Sequence, residues 1–247
     1  MRFPYRRPYS RGWPVISPVT PTISVTDALK KNRVEKFRYE LLNSNDVKIG
    51  DLDSVISGEI TQNYLATIKR SGMFELRETG EINYLSDRIK PIWCVKTGST
   101  WHEYPLGVFL LSTPGRRSDG RIVTREVQGY GKLLILHEDR IDEPLYVANS
   151  AVVTTAVRSI IESAGITKIN IQASTATLPS EREWGIGVSK LEICNELLRA
   201  INYESLKDDA NGYIVSKPYV SPQSAPIMWT FEDDEEGLYL PEVVEEI

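Results

Sequence analysis

The stretch Asp87-Arg88-Ile89-Lys90-Pro91-Ile92-Trp93-Cys94-Val95-Lys96-Thr97-Gly98-Ser99-Thr100-Trp101-His102-Glu103-Tyr104-Pro105-Leu106-Gly107-Val108-Phe109-Leu110-Leu111-Ser112-Thr113-Pro114 reads as a β-hairpin. Ile89, Pro91, Trp93 and Val95 share one parity, the spacing of one face of a strand. Thr97 to Thr100 is a turn cluster. Val108 to Leu111 is an apolar run too short for a helix and closed by Ser112, Thr113 and Pro114, so the returning strand, 104–112, is expected to be largely buried. No reactive chemistry lies in this stretch. It has the character of a spine around which a barrel or sandwich is built.

Working outward from the hairpin, further strands come first. Phe37, Tyr39 and Leu41 alternate with Lys36, Arg38 and Glu40; Asn43-Ser44-Asn45-Asp46 turns the chain and residues 47–50 return. Residues 57–76 suggest two strands. In them Leu65, Thr67 and Lys69 face one way and Ala66, Ile68 and Arg70 the other, with a break at Ser71-Gly72 and a resumption at Phe74 and Leu76. Strands over 82–95 and 121–128 complete an antiparallel β-barrel or sandwich over 33–145. After Gly129 the pattern changes. Residues 132–136 read as a short helical or irregular crossing. Asn149 is placed to cap a helix over 150–164, whose Val153, Val157, Ile160, Ile161 and Ala164 lie on one face before Gly165. Residues 166–173 read as a strand. Ser189 and Glu192 form a capping box for a second helix carrying Leu191, Cys194, Leu197, Leu198 and Ile201. Asp208-Asp209-Ala210-Asn211-Gly212 marks a hairpin turn. Residues 146–222 thus form a small α+β unit with two helices. The fold class is α+β, mainly β.

The two ends differ from the middle. Residues 1–32 are an extended, proline-rich arm with Pro4, Pro8, Pro14, Pro18 and Pro21, and a short helical turn at 27–31. Residues 223–247 hold an apolar strand, 227–231, and an acidic tail. The arm carries Arg2, Arg6, Arg7 and Arg11 with no acid before Asp27, and no base follows Lys217. This polarity suggests contacts with other subunits, and two solvated termini would look the same.

The totals set the class. The chain has 247 residues, a 41% apolar and 26% charged composition and a net charge of −5. The composition is that of a globular protein, and the charge argues against general nucleic-acid binding. No apolar run approaches the roughly 20 residues of a membrane helix. No apolar region follows the basic start, so no secretory signal is expected. Cys94 and Cys194 fall on a strand and a helix stripe and are expected as buried thiols.

Reactive motifs are sparse. His102 and His137 are far apart, with no H-E-x-x-H. Gly129-Tyr130-Gly131-Lys132 and Gly185-Ile186-Gly187 lack the spacing of phosphate loops. No G-x-S-x-G elbow supports a nucleophile. A glycosidase carboxylate pair has no fixed sequence spacing and stays open. The Asp208–Gly212 segment lacks the order and closing Glu of a calcium loop.

Taken in order, several segments resemble the minor tail proteins of long-tailed phages, of the baseplate-hub or tail-tip family. They are Tyr39-Glu40-Leu41-Leu42 with Gly50-Asp51-Leu52, Ile60 to Ser71, Asp87 to Pro91, Pro105 to Phe109, and Ala200 to Tyr203 with Gly212 and Pro218-Tyr219. Trp229 to Pro241 looks like the entry to a further segment. The resemblance spans roughly residues 33–241 and implies a non-enzymatic virion protein of the tail tip, made in the host cytoplasm. It implies a homo-oligomer, a trimeric ring, that joins the tail tube or distal tail protein and the tape measure to receptor-binding proteins. DNA passes in transit, and no cofactor, metal or specific small molecule is implied. Family members usually carry a longer second half with another barrel, so the chain is expected to be either a fragment or a short version. Arg2, Arg6, Arg7, Trp13, Trp93 and Trp101 are the candidate subunit-interface residues. The alternatives are a tail-associated cell-wall hydrolase or peptidase, and a carbohydrate-binding module using exposed Trp and Tyr on a β face.

Overall fold

A computed structural model describes residues 34–118 and 120–224. The arm, the helical turn at 27–31, the 227–231 strand and the acidic tail lie outside the described residues.

The larger part is one nine-stranded antiparallel sheet. Its strands are β1 (Val34–Leu42), β2 (Lys48–Asp51), β3 (Val55–Gln62), β4 (Arg70–Arg77), β5 (Arg88–Thr97), β6 (Thr100–Pro105), β7 (Phe109–Leu111), β8 (Gly115–Ser118) and β9 (Val123–Tyr130). The main path runs β2-β1-β5-β7-β9-β4-β3, with β6 on β5 and β8 on β9. The expected hairpin is present: Ile92 to Thr97 pair with Pro105 back to Thr100 across Gly98, which sits at φ +59. The return is two strands rather than one. Its first half, β6, lies along β5 and is mostly exposed. Then β7 touches β5 at Arg88 and Ile89 and β9 at Gly129 and Tyr130, and β8 continues along β9. The chain from 100 to 118 therefore passes from one strand to the next, and this hand-over curls the sheet. The interruption falls at Gly107, whose φ of +142 only glycine adopts readily. A Cβ there would lie 2.5 Å from the Arg70 Cδ.

The curl wraps a core of Leu41, Leu52, Phe74, Leu76, Ile89, Phe109 and Val127. Strand β1, next to the margin strand β2, and the opposite margin strand β3 approach through side chains. The Tyr39 ring meets Phe74 edge to face at 6.5 Å, and its hydroxyl would be 3.3 Å from a Cβ on Gly58. Among the described residues no backbone ladder joins β3 to β1 or β2, so the sheet is curled but not closed by hydrogen bonds.

Three readings of this region are corrected. Residues 63–69 are a loop, not a strand, because the Asn63 side chain accepts from the Leu65 amide in an Asx turn and leaves Leu65 98% exposed. Ser71-Gly72 does not break a strand but lies inside β4, where the missing side chain of Gly72 makes room for the Phe74 ring. The strand expected from 82 starts only at Arg88, since Asn83 and Asp87 tie residues 83–87 into a turn.

The second core gathers Leu133, Leu136, Ile141, Val153, Val157, Ile161, Leu191, Cys194, Leu197, Leu198, Leu206 and Ile214 among others. It thus begins in the helix α1 (Leu133–Glu138), which is the crossing expected at 132–136. Helix α2 (Val153–Ser163) packs on α3 (Lys190–Ala200). Around them lie β10 (Leu145–Val147) with β12 (Arg182–Trp184), and β11 (Ile169–Ile171), β14 (Ile214–Ser216) and β13 (Lys207–Asp208) in a three-stranded sheet. Helix α2 starts three residues later than read. Val152 is its extended N-cap, bridged to Thr177, and Asn149 does not cap it. Gly165, at φ +77, ends it as expected. Ser189 caps α3 by accepting from the Glu192 amide at 3.2 Å. Ser189→Ala should cost about 1 kcal/mol in chemical denaturation; an unchanged midpoint would show that the cap contributes nothing. Cys94 and Cys194 are both buried and free, and burial pushes the Cys194 thiol up to about 12.

Candidate functional site

Two surfaces and the seam between the cores hold the polar and aromatic side chains of interest. The β5–β6 hairpin carries both tryptophans singled out from the sequence, on opposite faces. Trp93 shares a face with Phe37 of β1 and Tyr104 of β6, which flank it in register across three strands. Its ring lies 5.7 Å from that of Tyr104, and its indole N–H donates to Glu35 at 3.2 Å. Phe37 is 55% exposed, so this row ends in open apolar surface. Trp101 faces the other way, with the Lys36 ammonium 4.6 Å and the Lys96 ammonium 5.9 Å from its ring. The two indoles therefore do not form one stacking platform. Arg2, Arg6, Arg7 and Trp13 lie outside the described residues.

The outer face of β3, β4 and β9 carries three carboxylates, Glu59, Glu75 and Glu126, with Arg77 and the β8 residue Arg117 at one end. Ser57, Glu75 and Glu126 are aligned in one row, and Glu59, Met73 and Gln128 in the next. These rows line a shallow trough of about 450 Å³ with Arg117 and Thr124 at its side. Glu75 and Glu126 are direct cross-strand neighbours, an arrangement of like charges that works against sheet stability.

The seam joins the sheet to the helical unit through buried charge. The Asp46 side chain, 3% exposed at the β1–β2 turn, accepts from Lys132 at 2.6 Å and pairs with Arg88, with Lys168 at 3.7 Å. Burial pushes the Asp46 carboxyl up, but Lys132 and Arg88 outweigh it and hold it below the ordinary carboxylate value. On the other side of the seam, Arg70 reaches the Leu106 carbonyl and lies 3.3 Å from the buried Asp208 carboxylate. There burial outweighs Arg70, and the Asp208 carboxyl is raised. Backbones also approach closely: a Cβ on Gly131 would sit 2.6 Å from Asp208, and one on Gly212 would sit 2.8 Å from Val108. None of this was singled out from the sequence. Asp46 read only as a turn residue, and Lys132 as the end of a failed phosphate loop and the start of the 132–136 crossing. The available signal was glycine beside charge at both Gly131-Lys132 and the Asp208–Gly212 turn.

The arrangement suits holding and docking. The Asp209 carboxylate is occupied by the amides of Asn211 and Tyr213, both at 2.8 Å, which makes that segment an Asx turn. Among the described residues no three His, Cys, Asp or Glu side chains converge on a metal site, and no helix is long and apolar enough to cross a membrane.

The fold, a nine-stranded antiparallel sheet with a small α+β unit, is similar to that of solved phage tail proteins. A tail protein from Neisseria meningitidis superposes with a TM-score of 0.55 at 9% identity, over 77% of this chain and 53% of its own. The 43 kDa tail protein of prophage MuSo2 from Shewanella oneidensis gives 0.50 at 16% identity, over 74% and 56%. A chain of the Francisella PdpA–VgrG complex gives 0.51 at 8% identity, over 77% and 32%. The chain spans about half the length of the two tail proteins. Its sequence matches no protein family and no curated protein. The resemblance to phage tail proteins read from the sequence thus holds at the level of fold.

Proposed function

We propose that this chain is a structural subunit of a phage tail, at the tail tip, and that it works by assembly rather than catalysis. The observation that carries this reading is the shared fold with tail proteins at 9% and 16% identity. In the proposed assembly the curled sheet acts as one barrel-like wall segment of a homotrimeric ring. The ring joins the tail tube or distal tail protein, with the tape measure, to the receptor-binding proteins below. The VgrG-containing complex among the fold's neighbours favours partners of that class.

The carboxylate-bearing trough on β3, β4 and β9 fits the channel side. Carboxylates repel a phosphate backbone, and DNA in transit has to slide rather than bind. The aromatic row Phe37–Trp93–Tyr104, with Trp101 on the reverse face, fits contacts to neighbouring subunits. Imaging of particles assembled with this protein is expected to show a trimeric or sixfold-compatible ring at the tail end, with Glu59, Glu75 and Glu126 toward the lumen. A strongly basic lumen, or a chain placed away from the tail, would overturn the reading. Cell-wall zymography of the purified protein is expected to show no clearing, and a cleared band would establish a hydrolase instead.

A further inference from the structure

The strongest unassigned feature is a concavity between β12 and α3. It is lined by Leu178, Arg182, Trp184, Glu196, Arg199 and Ala200 and has a volume of about 260 Å³. Its single carboxylate is already engaged, because Glu196 accepts the Trp184 indole N–H at 2.5 Å. Its two guanidiniums are not. Neither Arg182 nor Arg199 has an ion-pair or side-chain hydrogen-bond partner among the described residues, and both are exposed. Two guanidiniums lining one concavity, without partners among the described residues, suit carboxylates, since a guanidinium fork binds them bidentately.

The chain itself supplies the complementary group. Glu232-Asp233-Asp234-Glu235-Glu236 is a run of five acids, followed by the apolar Leu238, Tyr239 and Leu240. The described chain passes the C-terminal end of α3, which lines this concavity, shortly before Ser224. Tyr203 is bridged to Pro218, and the Tyr219 amide donates to the Asn202 carbonyl at 2.9 Å, one turn beyond Arg199. Glu232 follows Ser224, the last described residue, by eight positions. At roughly 3.3–3.6 Å per residue, that stretch reaches on the order of 25 Å, ample for a return to the C-terminal end of α3. We propose that the acidic segment 232–236 docks into the Arg182–Arg199 concavity of its own chain, clasping the C-terminal region against the α+β unit.

The test uses the full chain carrying Arg182→Lys and Arg199→Lys, which keeps both charges and adds amines for carbodiimide coupling. A mixture of isotope-labelled and unlabelled protein is coupled and digested for mass spectrometry. The expected products join an introduced amine to a carboxylate of 232–236, with both peptides from the same isotopic population. Mixed-isotope products alone would show a second copy's tail in the site, and amines coupled only elsewhere would show no docking; either result overturns the proposal. Amide exchange gives an independent readout. Arg182→Ala with Arg199→Ala should speed exchange over 232–240 at least about threefold. High salt should do the same in the unaltered protein, since it screens exposed pairs. Unchanged exchange in both cases would reject the clasp.

Discussion

Asp46→Ala is expected to lower the unfolding free energy by about 3–5 kcal/mol, the cost of removing one partner from a buried charge cluster. The substitution leaves Lys132, itself 2% exposed, and Arg88 facing each other without an anion between them. Asp46 also sits at φ +58, a conformation alanine adopts poorly. Asp46→Asn separates the two causes, because asparagine tolerates that backbone and keeps a polar oxygen but no charge. Most of the loss should remain with asparagine.

The acid dependence follows from the same cluster. The folded Asp46 carboxyl lies below its ordinary value of 3.8, so its stabilisation is complete above that value and is lost as pH falls through the lower, folded one. Asp208 has the opposite sign. Its folded carboxyl is raised, so its ionisation costs stability above the folded value, and the cost vanishes below its ordinary value of 3.8. Urea titrations from neutral pH down through 3.8 should therefore show an acid-side loss in the unaltered protein that Asp46→Asn largely lacks. Equal slopes in the two proteins, or a loss under about 1 kcal/mol for Asp46→Ala, would mean that Lys132 finds another partner.

How far the fold was legible depended on whether the information was local. The Ile92–Pro105 hairpin, the turn at Asn43–Asp46 and the Gly165 helix end all follow from periodicity, turn residues or a left-handed glycine. These signals span a few residues and are visible in one segment. The errors arose where a particular side-chain contact, and not periodicity, decided the outcome. Leu65 to Arg70 alternate as a strand would, yet Asn63 turns the chain first and the ladder starts only at Arg70. Gly72 reads as a breaker until Phe74 is known to need its space. The return strand of the hairpin reads as continuous because nothing before Gly107 reveals that it must change partners from β5 to β9. The seam is the extreme case. Asp46, Arg88 and Lys132 are separated by 42 and 44 positions, and Arg70 and Asp208 by 138. No spacing rule connects them. Trp93 and Trp101 were selectable as large aromatics, and only the strand register shows that they face opposite ways.

Phe74→Ala is expected to cost about 3–5 kcal/mol, the range for deleting a fully buried aromatic ring. The ring is 0% exposed and holds the curl together. It lies between Tyr39 of β1 and Phe109 at the hand-over, 6.5 Å and 5.4 Å away and edge-on to both. Three glycines form its seat: Cβ atoms added to Gly58, Gly72 and Gly129 would come within 3.2, 3.1 and 2.8 Å of it. Ring and glycines are therefore one packing unit, and the effects of changing them should not add. Gly129→Ala alone should cost about 1–3 kcal/mol by overpacking. In a Phe74→Leu background, where the ring edge is gone, the same change should cost measurably less, with a coupling between 0.5 and about 3 kcal/mol. Chemical denaturation of the two single variants and the double variant closes this cycle. Costs that add to within about 0.5 kcal/mol would mean that the sheet gives way at Gly129 without involving the ring. The curl would then be held by the β5–β7–β9 hand-over alone.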